Sequence, residues 1–317
     1  MIMDKAELRF DLGTARVCAV MNSGSGRRRH HETAALLNKR LAPHCGRFET
    51  RVAEHGRDLP QLARDVASEG FDLVIAVGGD GTQSAVAGAL AGTGIPMGVL
   101  PGGTFNYFAR DLGVGETIEE GIDTILDARQ SLTDLGEVNG LIFLNNISLG
   151  AYPQILKTRE GIYRRWGRSR LAAYWSVAVA LRRLRNPMRL TARVDGEERH
   201  FTSALVFVAR SAYQLETFGL EGADAIRDGR MVVLVAKASR AMPLFRSALR
   251  LAFGHSARDE DFDMIVTDRM EIETPAKAQL VAHDGEKTRL ASPFRMSVRR
   301  DALRVLLPAD GRDKTRA

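Results

Sequence analysis

The chain has 317 residues, 44% of them hydrophobic and 26% charged, the balance of a folded globular protein long enough for about two domains with proper cores. Its two cysteines, Cys18 and Cys45, exclude a disulfide framework and have neither metal nor redox spacing. No apolar run reaches the ~20 residues of a membrane helix, and MIMDKAELRFDLG lacks a signal-peptide core, so a cytoplasmic location is expected. Net charge +6 and a pI near 9.6 point to anionic partners, whether nucleotides, nucleic acid or acidic lipid surfaces. Arginine supplies most of that charge, at Arg27, Arg28 and Arg29, across residues 159–185, and from Arg295 onward.

In chain order, ARVCAVMN (15–22) reads as a buried strand running into SGSGRRR, and a helix fits 31–41 with Leu36, Leu37 and Leu41 on one face. FETRVAE (48–54) alternates as a strand, and 59–69 has helical spacing. FDLVIAVGGDGT (71–82) is the stretch the chain is organised around. Residues 73–77 form a continuous apolar, β-branched run, the pattern of a strand buried on both faces. Three glycines around Asp80 follow, then QSAVAGAL at helical spacing. A short strand at 96–100 and a helix through Ile118, Ile122, Ile125 and Leu126 complete the set. Strands alternating with helices imply an α/β domain with a parallel sheet covered on both faces, over residues 1–133.

The pattern changes near Asp134. EVNGLIFLNNISLG sets Asn139–Gly140 between two extended runs, a type I′ hairpin signal. Strands are then expected at 188–194, 200–209, 231–237, 264–273 and 277–283, with helices at 159–185 and 243–253. This is an antiparallel, β-sandwich-like second domain over 134–295. A last strand at 303–308 belongs to the segment 296–317, which returns to the first domain or stays with the second.

Three glycine turns carry the chemistry: NSGSG (22–26), GGDGT (78–82) and PGGTFNYFARDLG (101–113). Each follows a strand of the same expected sheet, the edge where open α/β sheets bind ligands. A strand, a glycine turn and a helix present backbone N–H groups at a helix N-terminus, which suits a phosphate. Asp80 is a hard oxygen donor of the kind Mg²⁺ takes. The plain alternative for any one turn is glycine used only for its backbone freedom.

In that order and spacing, these turns, with NNISLGAY and the late HDGE, resemble the diacylglycerol kinase catalytic-domain family, which includes bacterial lipid kinases and sphingosine and ceramide kinases. The resemblance spans nearly the whole chain, although GGDGT alone also occurs in NAD kinases. It implies an ATP-binding α/β domain, a β-sandwich domain, and an active site in the cleft between them. Carried over by position, Asn22, Ser25 and Gly26 line the nucleotide site and Thr50 contacts the nucleotide. Gly78, Gly79, Asp80, Gly81 and Thr82 wrap the phosphates, and Thr104 and Asn106 complete the pocket. Arg110 faces a phosphate or closes its own turn through Asp111.

Phosphoryl transfer needs a carboxylate to accept the attacking hydroxyl's proton. Asp-Gly-Glu occurs twice, at Asp195–Glu197 and Asp284–Glu286, and residues two apart on extended backbone project to the same side. The first copy, among charged alternating strands, reads as a solvated turn. The family's catalytic pair follows a late strand, as KAQLVAHDGE does, so the resemblance assigns Glu286 as proton acceptor assisted by Asp284. It also implies Mg²⁺ at Asp80 and, more weakly, a second cation in ADAIRDGRM, on Asp228 and the backbone carbonyls of Ala225 and Arg230.

The chain departs from the family at Tyr107, where Asp is usual after Asn106. It departs again at Ala151–Pro153, which lacks an acidic residue, and at ARSAY (209–213), where small Asn or Gly residues are usual. These positions bear on the acceptor. The expected substrate is a lipid, diacylglycerol or a relative. The segment 159–185, basic at its ends around Tyr174 and Trp175, either rests on an anionic membrane surface or packs on the sandwich. An NAD kinase and a non-catalytic nucleotide- or lipid-binding regulator stand as alternatives. Nucleic acid has only the charge in its favour, and a homodimer is left open.

Overall fold

The computed structural model describes residues 9–22, 27–150, 187–237 and 262–309. Ser25, Gly26 and the helices expected at 159–185 and 243–253 lie outside them. The chain divides into two units, Met1–Leu135 with Arg299–Ala317, and Gly136–Val298.

The first unit alternates strand and helix: β1 (Arg16–Asn22), α1 (Arg27–Arg40), β2 (Arg47–Ala53), α2 (Leu59–Ser68), β3 (Leu73–Gly78), α3 (Asp80–Leu90), β4 (Met97–Pro101), α4 (Tyr107–Asp111), α5 (Ile118–Leu126) and β5 (Ala128–Val138). β1 is parallel to β2 and to β3, and β3 is parallel to β4, giving the order β2-β1-β3-β4. Both faces of the central strands are buried, which is why they read as unbroken apolar runs. On one face Val17, Ala19, Met21, Leu73, Ile75 and Val77 pack with Leu37 and Leu41 of α1 and Ile122 and Ile125 of α5. On the other, Cys18, Val20, Val74 and Ala76 are equally buried, beneath α2 and α3. Burial pushes the Cys18 thiol up to about 12, so it behaves as a small apolar residue. The chain leaves β1 in one direction and β3 in the other, so the topological switch falls between them. Their carboxyl ends, Asn22 and Gly78, are where such sheets bind ligands.

The second unit contains β6 (Leu141–Phe143), β7 (Asn146–Gly150), β8 (Met188–Val194), β9 (Glu197–Ser203), β10 (Leu205–Ala209), α6 (Ala212–Thr217), α7 (Ala223–Arg227), β11 (Met231–Ala236), β12 (Phe262–Thr267), β13 (Arg269–Glu273), β14 (Ala278–His283), β15 (Glu286–Ala291) and the first part of β16 (Phe294–Pro308). One sheet has the order β12-β11-β10-β7-β14-β15, and β16, β13, β8 and β9 are neighbours in another. The strands of both sheets pair antiparallel. Val206, Val208, Val233 and Ile147 from the first sheet share one core with Leu190, Ala192, Ile272 and Phe294 from the second. That is sandwich packing. The outer face of β10 and β11 is covered in turn: Ala209, Val232 and Leu234 pack on Leu215 of α6 and Ile226 of α7. β11 is therefore buried along its whole length.

Two strands expected as single runs are broken. The run 200–209 divides at Ala204 into β9 and β10, and 264–273 divides at Asp268 into β12 and β13, each half in a different sheet. A hydroxyl makes each corner. Ser203 Oγ donates to Leu205 O (2.8 Å) and accepts from Leu205 N (3.2 Å). Thr267 Oγ1 does the same with Arg269 O (2.8 Å) and Arg269 N (3.1 Å). Both side chains are buried, so the hydroxyl replaces ladder bonds lost where the strand changes sheet.

The hairpin at Asn139–Gly140 has the expected I′ backbone, with φ of 48° and 84°. Asn139 does more than turn the chain. Its Nδ2 donates to Ala291 O (2.9 Å) and Pro293 O (3.1 Å), and its Oδ1 accepts from Arg295 N (2.8 Å). β16 is longer than the six residues expected. It pairs with β13 through Phe294–Ser297 in the second unit and with β4 at Val305 in the first.

Candidate active site

In the first unit, two of the glycine turns meet backbone to backbone. Gly102 N donates to Gly78 O (3.0 Å), and a Cβ on Gly103 would come 2.5 Å from Gly79 Cα. Only glycine permits that approach. Gly78 has φ +157°, and a Cβ there would stand 2.6 Å from Thr82 Oγ1, so Thr82 lies under the turn, buried. Gln83, fully buried, donates from Nε2 to Gly78 O (2.9 Å), while its Oε1 has no hydrogen-bond partner. Gly79 caps α3, which places Asp80 and Gly81 in that helix's first turn, at its positive end.

Asp80 Oδ1 also accepts from Phe108 N (3.3 Å), tying the first turn of α3 to α4. Asn106 is buried in a left-handed conformation (φ 51°). Its Oδ1 accepts from Gly103 N (2.8 Å) and its Nδ2 donates to Gly103 O (3.1 Å), so it shapes the turn from within. Thr104 is exposed. Phe105, 61% exposed, stacks on Tyr107 with centroids 5.5 Å apart and planes 2° apart. Arg110 Nη1 pairs with Glu116 Oε1 at 2.9 Å. Asn22 ends β1. Thr50 sits on β2 opposite Ala19, its Oγ1 buried with no hydrogen-bond partner.

In the second unit, Asp284–Gly285 joins β14 to β15 with φ of 44° and 86°. Asp195–Gly196 joins β8 to β9 with almost the same angles, 51° and 85°. The backbone at Asp284 is therefore a left-handed turn, not a strand, and the expected same-side projection of Asp284 and Glu286 is corrected. Asp284 is 3% exposed and points inward. Its Oδ2 accepts from Leu144 N (2.8 Å), and its Oδ1 accepts from Asn145 N (2.8 Å) and Asn146 N (3.2 Å). Glu286, the first residue of β15, is exposed. Opposite it, His283 is buried. Its Nε2 shares a 3.2 Å hydrogen bond with Thr288 Oγ1, and its Nδ1 has no partner. Burial pulls the His283 imidazole below its ordinary value, against a smaller upward pull from Glu286.

Two Asp-Gly turns with one backbone thus differ in surroundings. Asp195 is exposed. Asp284 is held by three successive amides from a segment some 140 residues earlier.

A family model for the diacylglycerol kinase catalytic domain matches residues 16–138. A second, for the YegS C-terminal NAD kinase beta sandwich-like domain, matches residues 159–307. Residues 16–138 belong to the diacylglycerol kinase catalytic-domain family. It is a kinase. A diacylglycerol kinase of Bacillus subtilis is 28% identical over 290 residues, covering 86% of this chain and 89% of that protein. One of Mycobacterium tuberculosis is 31% identical over 153 residues, 46% of this chain and 48% of that protein. The crystal structure of a diacylglycerol kinase from Bacillus anthracis superposes with a TM-score of 0.69 at 21% identity, over 93% of this chain and 98% of that one, and so shares the fold.

In this diacylglycerol kinase catalytic domain, the structure brings together Gly78, Gly79, Asp80, Gly81, Thr82, Thr104 and Asn106 through the two stacked turns. Asp284 and Glu286 share one turn of the second unit. Sequence reasoning missed the amides of residues 144–146 and the Gln83 bond. The asparagines at 145 and 146 signalled a polar segment inside an apolar strand, but nothing local named Asp284 as its partner. Asp228, Ala225 and Arg230, expected as a second cation position, lie around α7. Among the described residues no helix is long and apolar enough to cross a membrane.

Proposed function

We propose that the chain transfers the γ-phosphoryl group of ATP to a hydroxyl of diacylglycerol or a related lipid. The observation that carries this reading is the stacked pair of glycine turns at the carboxyl ends of β3 and β4, with the N-terminus of α3 behind them. That combination favours a polyphosphate. The buried, unpartnered hydroxyl of Thr50 on β2 suits a nucleotide contact on the same sheet, and Asn22, Ser25 and Gly26 complete the nucleotide residues.

Asp80 is one carboxylate in this turn, a donor set that fits Mg²⁺, which keeps several waters and binds phosphate oxygens alongside one or two carboxylates. When bound, the ion neutralises charge on the transferring phosphoryl group. Glu286 accepts the proton of the attacking lipid hydroxyl. Asp284 assists by holding the turn: hydrogen bonds from three backbone N–H groups fix its carboxylate, and the short turn fixes where Glu286 emerges. A peripheral encounter with an anionic lipid surface follows from the net charge of +6.

The test is transfer of label from γ-labelled ATP to a panel of lipid alcohols with Mg²⁺, comparing wild type, Asp80→Asn and Glu286→Gln. Labelled lipid from wild type and at least a hundredfold less from either variant is expected. Equal yield from all three would refute the assignment. Formation of NADP⁺ from NAD⁺ and ATP, with no labelled lipid, would replace it with an NAD kinase.

A further inference from the structure

We infer that the guanidinium of Arg210 is a built-in cation that closes the loop between α7 and β11, standing in this chain where the family resemblance places a bound metal ion. Arg210 follows β10 directly, and its backbone N donates to Asn145 O at 2.7 Å. Its side chain reaches the turn after α7, where Nη1 donates to Ile226 O (3.1 Å) and to Arg230 O (3.1 Å). Arg230 O is one of the three ligands the resemblance implies. The second, Ala225 O, accepts from Arg230 N at 2.9 Å. The third, Asp228, is exposed and pairs with Arg230 Nη2 at 3.4 Å.

The residues present therefore do not fit a divalent ion. An ion on Arg230 O would share that carbonyl with a guanidinium, and two positive charges a few ångströms apart repel. Ile226 O already accepts from Gly229 N (2.9 Å), and the guanidinium adds a bond that ties it to Arg230 O. Gly229 turns the loop with φ 77°, and the carbonyls of Ile226 and Arg230 converge on one point. An arginine supplies charge and directional donors without being lost to a chelator. The departure noted in ARSAY, an arginine where the family has a small residue, thereby acquires a local reason. This inference does not depend on the identity of the lipid or on the donor site.

The experiment is thermal unfolding without nucleotide, in EDTA and in millimolar MgCl₂ or CaCl₂, for wild type, Asp228→Asn, Arg210→Ala and Arg210→Ala/Asp228→Asn. Wild type and Asp228→Asn are expected to show the same response to the cations. Arg210→Ala is expected to melt about 3–8 °C lower in EDTA and to recover part of that loss with Mg²⁺ or Ca²⁺. The double variant is expected not to recover. A cation-dependent rise in wild type that Asp228→Asn abolishes would overturn the inference, as would an unchanged Tm for Arg210→Ala or a loss no cation relieves. Should Arg210→Ala not fold, the comparison of wild type with Asp228→Asn still decides.

Discussion

At Asp284 a carboxylate accepts hydrogen bonds from three successive backbone amides. Asparagine has nearly the same shape but would turn an N–H towards donors that need an acceptor. Asp284→Asn is therefore expected to cost about 2–4 kcal/mol of stability in urea unfolding. Glu286, exposed at the start of β15, is expected to behave oppositely: Glu286→Gln changes stability by less than about 0.5 kcal/mol and removes the transferase activity. A structural loss at one residue and a chemical loss at the other would separate two roles that the shared Asp-Gly-Glu motif merges. His283 adds a pH dependence. The unfolded chain takes up a proton near the ordinary value of 6.5, whereas the folded chain, with the imidazole pulled lower by burial, takes it up only at lower pH. Below 6.5 the unfolded state thus binds more protons and stability falls as pH falls. The drop in Tm from pH 7 to pH 5 is expected to be smaller in His283→Gln than in wild type.

At the scale of elements, the glycine turns depend on contact with each other rather than on their own φ angles. Gly103 lies outside the left-handed region, yet a Cβ there meets Gly79 Cα at 2.5 Å and Asn106 Oδ1 at 2.8 Å. Gly103→Ala must push the turns after β3 and β4 apart. Nucleotide affinity is expected to fall at least tenfold by isothermal titration, with a smaller loss for the exposed Thr104→Ala. This contact explains what was legible and what was not. Each turn showed in the sequence as a glycine cluster after an apolar strand. Their stacking did not show, because the partner glycine is 24 residues away. The missed β5 has the opposite character: ARQSLTDLGEV is mostly half-buried and has no clean alternation. The exposed strand β15, EKTRLA, gave no apolar pattern to find either.

For the molecule as a whole, β16 gives its first residues to the second unit and its last to the first. Leu303, Val305 and Leu306 are each about 1% exposed or less. Truncation after Val298 would remove these three side chains and the strand beside β4. Burial of that size contributes on the order of 5 kcal/mol or more, so the first unit is expected to lose its cooperative melt although its other strands are intact. Circular dichroism of the truncated chain, set against the full chain, checks this.

What the sequence determined by itself is local. Continuous apolar runs identify strands buried on both faces, Asn139–Gly140 identifies a hairpin, and three glycine clusters mark one edge of a parallel sheet. These follow from residue type and near-neighbour spacing. The tertiary structure alone decided where chains change sheet at Ala204 and Asp268, and which of two identical Asp-Gly turns has its carboxylate buried. It alone showed that the Arg210 guanidinium meets the carbonyls around α7. Each of those depends on partners distant in sequence, which no local pattern encodes. The GGDGT turn belongs to both kinds: its residues announce a glycine turn between a buried strand and a helix, and its contact with Gly102 and Gly103 gives that turn its shape.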